Sequence, residues 1–295
     1  MLFPYQNSRL LFVFHIVYYL VWKTDLFLHF LSAKQDAGGK MINSNKSELP
    51  GVLVENHTIR AHECGPDGLL KLHVLLDYLQ DIAATHAELL NVGLSALTEK
   101  GTLWVLSRLG LQITRYPACG EKIILKTYPS GISGLFATRE YWMTGEDGTP
   151  LVKGTSFWLV LDAKTYRPLK AASFLPENMP LNENMDRFFP ELGKIGKQET
   201  DSSGSVFTVR HGDIDMNRHL NNAVFGRMLF DTLCKEKNTF LSVKNLQINF
   251  ISSGELGAEI HSGANIDQNG NFYLQLVSPD GKKIYIQAEG RVENL

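Results

Sequence analysis

Apolar residues recur along this chain with two periods, one helical and one of strands, and the pair of patterns occurs twice. Leu72, Leu75, Leu76, Leu79, Ile82, Ala83 and His86 mark one face of a helix spanning roughly 69–90, because residues three and four apart stack on one side of a 3.6-residue turn. Asn91 and Gly93 supply its stop. That stripe is wide enough to be buried against a sheet. Strand-like runs follow at 103–113, 122–128, 136–143 and 151–161, with Asp147-Gly148 as a hairpin turn between the last two. Residues 206–211 (Val-Phe-Thr-Val-Arg-His) then alternate like a half-buried strand. Val224, Phe225, Met228, Leu229 and Leu233 return to helical spacing. Further strands are expected at 243–251, 258–264, 272–277 and 283–292, with turns at Asn269-Gly270 and Pro279-Asp280-Gly281.

One helix laid across a long, bent antiparallel sheet is an α+β arrangement, and here it is expected in tandem. Laying residues 59–81 over 209–231, an offset of 150, aligns Arg60 with Arg210, Leu70 with Leu220, Val74 with Val224, Leu79 with Leu229 and Asp81 with Asp231. An internal duplication is the best account. Residues 176–203, rich in Pro, Asn, Glu, Lys, Gly and Ser, read as a linker that is partly helical at best. The expected organisation is an N-terminal extension (1–51), a first domain (52–175), the linker (176–203) and a second domain (204–295) that carries the site.

Composition narrows the class. At 295 residues, 44% hydrophobic and 20% charged, the chain is an ordinary globular protein with room for two cores. Its net charge of −2 gives no reason to expect nucleic acid as a partner. Cys64, Cys119 and Cys234 form no CxxC pair, which argues against a zinc site and for a reducing compartment. Leu10 to Trp22 is a mostly apolar run of thirteen residues. As helix it rises about 20 Å, short of a roughly 30 Å hydrocarbon core, and no A-x-A-like cleavage site follows. Three readings stand for residues 1–40. Ala37-Gly38-Gly39-Lys40 before Met41 is compatible with an encoded purine-rich ribosome-binding sequence, so that translation starts at Met41. The alternatives are a signal peptide or membrane anchor, and a soluble extension.

The densest polar cluster, Asp213 to Asn222, lies on the turn between the second half's first strand and its helix. Free backbone N–H groups at a helix start favour negative charge there. An Asx-rich cap is the plainest reading. A calcium loop fits Asp213, Asp215 and Asn217, but has Arg218 where Gly is needed and Val224 where a bidentate Glu is needed. A hydrolytic site is favoured by the repeat, because Gly65, Asp67 and Leu69 stand opposite Asp215, Asn217 and His219. A turn that needed these groups only to fold would show them in both copies. Gly131-Ile132-Ser133-Gly134 lacks the Gly-x-Ser-x-Gly of a nucleophile elbow, and no phosphate loop is present.

Asp215-Met216-Asn217-Arg218-His219-Leu220-Asn221-Asn222 resembles the Asp-x-Asn-x-His-x-Asn-Asn signature of acyl-acyl carrier protein (acyl-ACP) thioesterases. The first half is similar to that family in 75–86, in Trp104-Val105-Leu106-Ser107-Arg108, in Arg115-Tyr116-Pro117 and in Trp158-Leu159-Val160-Leu161-Asp162. The likeness runs from about 52 to 292. It implies two tandem hotdog domains, hydrolysis of fatty acyl-ACP thioesters in the cytoplasm, acyl carrier protein as partner and no cofactor or metal. Membrane contact enters only with residues 1–40, and the molecule is expected as a monomer or homodimer. Asp215, Asn217 and His219 match the family's active-site positions. An N–H at the helix start, near Leu220, Asn221 and Asn222, is expected to hold the oxyanion. Leu76 and Trp104 are candidate walls of an acyl tunnel, and Lys194 and Lys197 candidate contacts for an acidic carrier. At one position the chain departs from the pattern: Ser253 stands where the family places a Glu, with Glu255 nearby. The alternatives are an acyl-CoA thioesterase of the same fold and a weakened protein that binds acyl carriers without turnover.

Overall fold

In a computed structural model describing residues 51–200 and 204–295, helices and strands fall where the apolar periods place them. The readings of residues 1–40 lie outside the described residues. Strand β1 (Leu53–Thr58) leads through a 3-10 turn (Ala61–Glu63) into helix α1 (Leu72–Leu89). Helix α2 (Leu94–Glu99) follows, then strands β2 (Thr102–Ile113), β3 (Lys122–Ser133), β4 (Phe136–Gly145), β5 (Pro150–Asp162) and β6 (Pro168–Leu169). The second half has β7 (Val206–Thr208), a 3-10 turn (His211–Asp213), α3 (Asn222–Lys237), β8 (Leu241–Phe250), β9 (Glu259–Ile266), β10 (Asn271–Val277) and β11 (Ile284–Asn294). The sequence pattern does not foresee α2 and β6, since six and two residues are too few for a period to show.

The strands form one antiparallel sheet in the order β1-β3-β4-β5-β2-β8-β11-β10-β9-β7, with β6 on β5. The halves join where β2 pairs with β8, from Arg108↔Asn249 to Gln112↔Asn245. Both long helices lie on one face. α1 buries Leu72, Leu75, Leu76, Leu79 and Ile82, and α3 buries Phe225, Met228, Leu229 and Leu233. These belong to a single apolar cluster that draws on both halves. The helices touch where Gly226 meets Leu76, its counterpart at the offset of 150. A Cβ on Gly226 would lie 2.4 Å from Leu76 Cδ1, so the missing side chain sets how closely α3 approaches α1.

Residues 176–200 contain no helix and run across the opposite sheet face. Alternation along β4 puts Tyr141 and Met143 in the core and Glu140 and Trp142 on the other side. There the Phe188 amide donates to Glu140 Oε2, the Phe189 amide to Thr155 Oγ1, and Tyr128 OH to Asp186 O. Farther along, Gln247 Nε2 donates to Gly193 O, and Gln275 Nε2 to Thr200 Oγ1. Gly110 admits this strap, because a Cβ there would lie 2.8 Å from Leu192 Cδ2.

Glu140 is fully buried beneath the strap and also accepts from Ser130 Oγ and Thr155 Oγ1. Burial raises its pKa above the ordinary 4.5, against the opposing effect of those donors and of Arg187. A raised folded-state value contributes stability that is fully present below 4.5 and is lost as pH rises through the raised value. Wild-type stability relative to Glu140→Gln is therefore expected to fall as pH is raised from below 4.5. Urea midpoints across pH test this, and parallel curves for the two proteins would refute it.

Candidate active site

The turn ahead of each long helix has one backbone design. The Asp215 amide donates to His219 O and the Arg218 amide to Asp215 O, as Gly65 does to Leu69 O and Gly68 to Gly65 O. Asn221 N reaches Asp213 O as Lys71 N reaches Glu63 O. Leu220 N reaches Gly254 O as Leu70 N reaches Pro117 O. The same backbone turn is thus made without Asp215, Asn217 or His219, with Asp67 Oδ1 capping the Leu69 amide as Asp215 Oδ1 caps that of His219. The left-handed corner is Gly68 (φ 74°) in the first copy and Arg218 (φ 62°) in the second. A side chain at that angle is strained, so the second copy holds a less comfortable turn.

Within that turn the half-buried Asp215 organises its neighbours. Its Oδ1 accepts from the Asn217 amide at 2.8 Å and the His219 amide at 3.2 Å, and its Oδ2 accepts from Asn217 Nδ2 at 3.2 Å. Asp215 and Asn217 are therefore brought together side chain to side chain. Asp215 holds His219 through the backbone, not the imidazole, and Asn217 and His219 are both exposed. An ionised carboxylate has about four acceptor sites, so Asp215 keeps about one for water or substrate.

The expected set of free amides at the helix start is smaller than the sequence suggests. Leu220 and Asn221 are engaged by the carbonyls above, Ala223 N donates to Asn221 Oδ1 at 3.0 Å, and Val224 N to Asn221 O. Asn221 is a true N-cap and spends its own oxygen on the helix. The Asn222 amide is the member of that set left to face a ligand. The asparagine side chains instead reach across to α1. Gln80 Nε2 donates to Asn221 Oδ1 at 3.0 Å, Asn222 Nδ2 to Gln80 Oε1 at 3.0 Å, and Asn221 Nδ2 to Asp77 Oδ1 at 3.3 Å.

Asp77 and Gln80 are functional candidates that the sequence reading missed. The offset of 150 could have found them, because it opposes Arg227 to Asp77 and Phe230 to Gln80, just as it opposes Lys71 to Asn221 and Leu72 to Asn222. A polar bridge between turn and helix thus exists at one of the two equivalent interfaces. The other holds a cavity of about 270 Å³ lined by Lys71, Leu72, Arg227 and Phe230 among others. Although Asp77 stands at the rim, crowding by protein atoms raises its pKa, and the Asp81 charge adds to this against the Asn221 hydrogen bond.

Gln80 and Asn222 lead into an apolar cleft under α1, lined also by Leu76, Leu79, Leu106, Leu109 and Phe250. Its polar floor is a chain in which Trp158 Nε1 donates to Ser156 Oγ, itself 3.0 Å from Tyr141 OH. The open space, about 10 Å³, holds roughly one water, so an acyl chain enters only if these side chains swing aside. Leu76 lies in this wall. Trp104 is not among its lining residues: its indole donates to Val92 O at 2.8 Å, on the connection between α1 and α2. Ser253 and Glu255 are exposed on the β8–β9 loop. That loop is docked on the site by Gly254, where a Cβ would lie 2.8 Å from Leu220 Cδ2.

Comparison with known proteins gives a consistent set of likenesses. The family model described as acyl-ACP thioesterase N-terminal domain matches residues 51–175, and that of the C-terminal domain matches 196–287. The chain is 29% identical over 191 residues to a chloroplastic palmitoyl-acyl carrier protein thioesterase of Gossypium hirsutum, covering 59% of this chain and 45% of that protein. The chain spans about half the length of the curated relatives it matches. Among solved structures, an acyl-ACP thioesterase from Bacteroides thetaiotaomicron superposes with a TM-score of 0.73 at 20% identity, over 84% of this chain and all of that one. The 12:0-ACP thioesterase from Umbellularia californica superposes with a TM-score of 0.67 at 17% identity, over 83% of this chain and 94% of that one. Such likeness establishes the fold, the tandem α+β hotdog expected from the sequence.

Because the first copy folds its turn with Gly65, Asp215→Gly is expected to keep the native fold. It should lose the two amide caps and the contact from Asn217 Nδ2, a cost of about 1–2 kcal/mol. Circular dichroism and a denaturant midpoint check this, and a global loss of structure would show Asp215 to be a folding residue.

Proposed function

The chain belongs to the acyl-ACP thioesterase family, and from that membership we propose that it hydrolyses the thioester between a fatty acyl chain and the phosphopantetheine arm of acyl carrier protein. Water adds to the thioester carbonyl, and the resulting tetrahedral oxyanion collapses with loss of the thiol, leaving fatty acid and carrier. The observation that supports this most is the one-sided polar bridge. Asp215 and Asn217 stand on the turn, and Asn221 and Asn222 are tied to Gln80 and Asp77 at the mouth of an apolar cleft. The equivalent interface carries none of these groups. In this reading the acyl chain enters under α1, and Asn217, held by Asp215, positions the carbonyl or the attacking water. The Asn222 amide faces the developing oxyanion. His219, exposed beside the turn, exchanges protons with solvent and leaving group. The remaining acceptor site of Asp215 makes it the carboxylate best placed to draw a proton from water.

Ser253 supports a second reading, a slower enzyme or a protein that binds acyl carriers without turnover, because a hydroxyl cannot serve as the base a carboxylate would be there. Glu255, two residues on, points from the same loop. The exposed Lys194 and Lys197 on the strap offer positive charge to an acidic carrier. A cytoplasmic location belongs to the same proposal. It rests on three cysteines that are all free. Among the described residues no helix is long and apolar enough to cross a membrane.

Release of free thiol from acyl-ACP and from acyl-CoA substrates is the direct test, and faster turnover of acyl-ACP is expected. Asn217→Ala and Asp215→Asn should each lower kcat by about 10²–10³-fold, the usual cost of one preorganised group, with thermal stability close to wild type. Wild-type protein inert on both substrates would sink the hydrolytic reading and leave carrier binding. Ser253→Glu is expected to raise kcat; an unchanged rate would show that Asp215 already suffices.

A further inference from the structure

The floor of the cleft under α1 holds one more hydrogen-bond donor than its own groups use. Ser156 and Trp158 lie two residues apart on one face of β5, and Tyr141 comes from β4, diagonal to Ser156. Trp158 Nε1 donates to Ser156 Oγ at 2.7 Å, and Ser156 Oγ lies 3.0 Å from Tyr141 OH. An indole offers one N–H, and each hydroxyl offers one O–H. Of these three protons, one goes from Trp158 to Ser156 and one is shared between the two hydroxyls. If Tyr141 donates, the Ser156 O–H is left over; if Ser156 donates, the Tyr141 O–H is left over. Among the described residues neither hydroxyl has a further partner. Both side chains are buried. Burial also raises the Tyr141 pKa against the opposing charge of Arg139, so the phenol stays a neutral donor. The walls formed by Leu76, Leu79, Leu106, Leu109 and Phe250 offer no acceptor. A cleft meant for a plain alkyl chain gains nothing from a buried, unpaired O–H, which costs stability wherever it is left unsatisfied.

We propose that the cleft selects acyl chains that carry an oxygen at C3, as 3-hydroxyacyl or 3-oxoacyl thioesters, and that this oxygen accepts the spare proton of the Ser156–Tyr141 pair. The inference rests on the hydrolytic reading above and names its substrate class. Position follows from size. One open space of about 10 Å³, room for roughly one water, is bounded by Gln80 and Asn222 at the mouth and by Ser156 and Tyr141 at the floor. The hydroxyls therefore serve the near end of the chain, beside the thioester, and not its tail. With the thioester carbonyl at the Asn222 amide, C3 is two carbons farther in. A saturated chain sets a methylene against the donor and leaves it unpaired. A site that hydrogen-bonds a substrate oxygen rejects the analogue lacking it for that reason. The C3 oxygen takes no part in bond making: water still adds to the carbonyl and the thiol still leaves. Tyr141 and Ser156 are specificity-determining residues in this scheme.

Acyl carrier protein is loaded with saturated, 3-hydroxy and 3-oxo chains of one length, and thiol release by the full-length protein is followed for each. The oxygenated thioesters are expected to be cleaved with kcat/KM about 10–100-fold above that of the saturated one. Tyr141→Phe combined with Ser156→Ala removes both hydroxyls and should bring that ratio close to one, whereas Ser156→Thr keeps a hydroxyl and should keep the preference. Calorimetric titration with the free acids reads the same preference without turnover: the 3-hydroxy acid should bind about 10-fold more tightly than the saturated acid. Wild-type protein that cleaves the saturated chain as well as the oxygenated ones overturns the proposal and leaves the hydrolytic reading standing. Protein that cleaves none of the three removes the hydrolytic reading, and the titration then decides, equal affinities overturning the preference. A folded double variant that retains the wild-type ratio overturns the assignment to Tyr141 and Ser156.

Discussion

The antiparallel pairing of β2 with β8 is the constraint from which the rest of the molecule follows. Its five register pairs fuse two sheets into one and bring both long helices onto a common face. Gly226 then lets α3 settle against Leu76 of α1. With the helices at that distance, the turn before α3 lies within hydrogen-bonding reach of α1, and the turn before α1 faces α3. Each turn needs the other half's helix to complete its surroundings. Neither half alone makes the polar bridge.

That shared geometry makes the asymmetry informative. Two turns with matching backbone hydrogen bonds are given different side chains, so the backbone fold alone does not dictate which residues stand there. The second turn carries Asp215, Asn217, Asn221 and Asn222 and meets Asp77 and Gln80. The first carries Gly65, Asp67, Lys71 and Leu72 and meets Arg227 and Phe230. Strain is distributed the same way, with Arg218 bent into the left-handed region where the first copy has Gly68. The strap formed by 176–200 contributes from the far side. It covers Glu140 and the sheet face opposite the helices, so both faces of the central strands are occupied and the cleft under α1 remains the apolar volume next to the polar bridge.

Much of this was legible along the chain. The helical stripes of α1 and α3 and the alternation of β2–β5 and β8–β11 are local periods, and local periods survive without knowledge of the fold. Asn91, Gly148, Gly270 and Gly281 sit in the left-handed region at turns or helix ends the sequence marks. The Asp215–Asn222 cluster and its absence from the first copy needed only two stretches of one sequence laid side by side. The linker's composition allowed a partial helix at best. It did not show that the stretch would be spent as a cover for a buried glutamate.

What the sequence determined by itself is what neighbours in the chain can encode: element type, duplication, and the turn on which the polar groups stand. What only the tertiary structure decided is which distant residues meet. Asn221 finds Gln80 and Asp77, the expected free amides of Leu220 and Asn221 are claimed by Gly254 and Asp213, and the Trp104 indole finds Val92 O. The meeting of Asn221 with Gln80 and Asp77 hangs on the β2–β8 register and the helix crossing, each a product of many weak contacts between segments more than a hundred residues apart. No local period carries that information, because a one-residue slip in the pairing would preserve every local pattern and break the bridge between the halves.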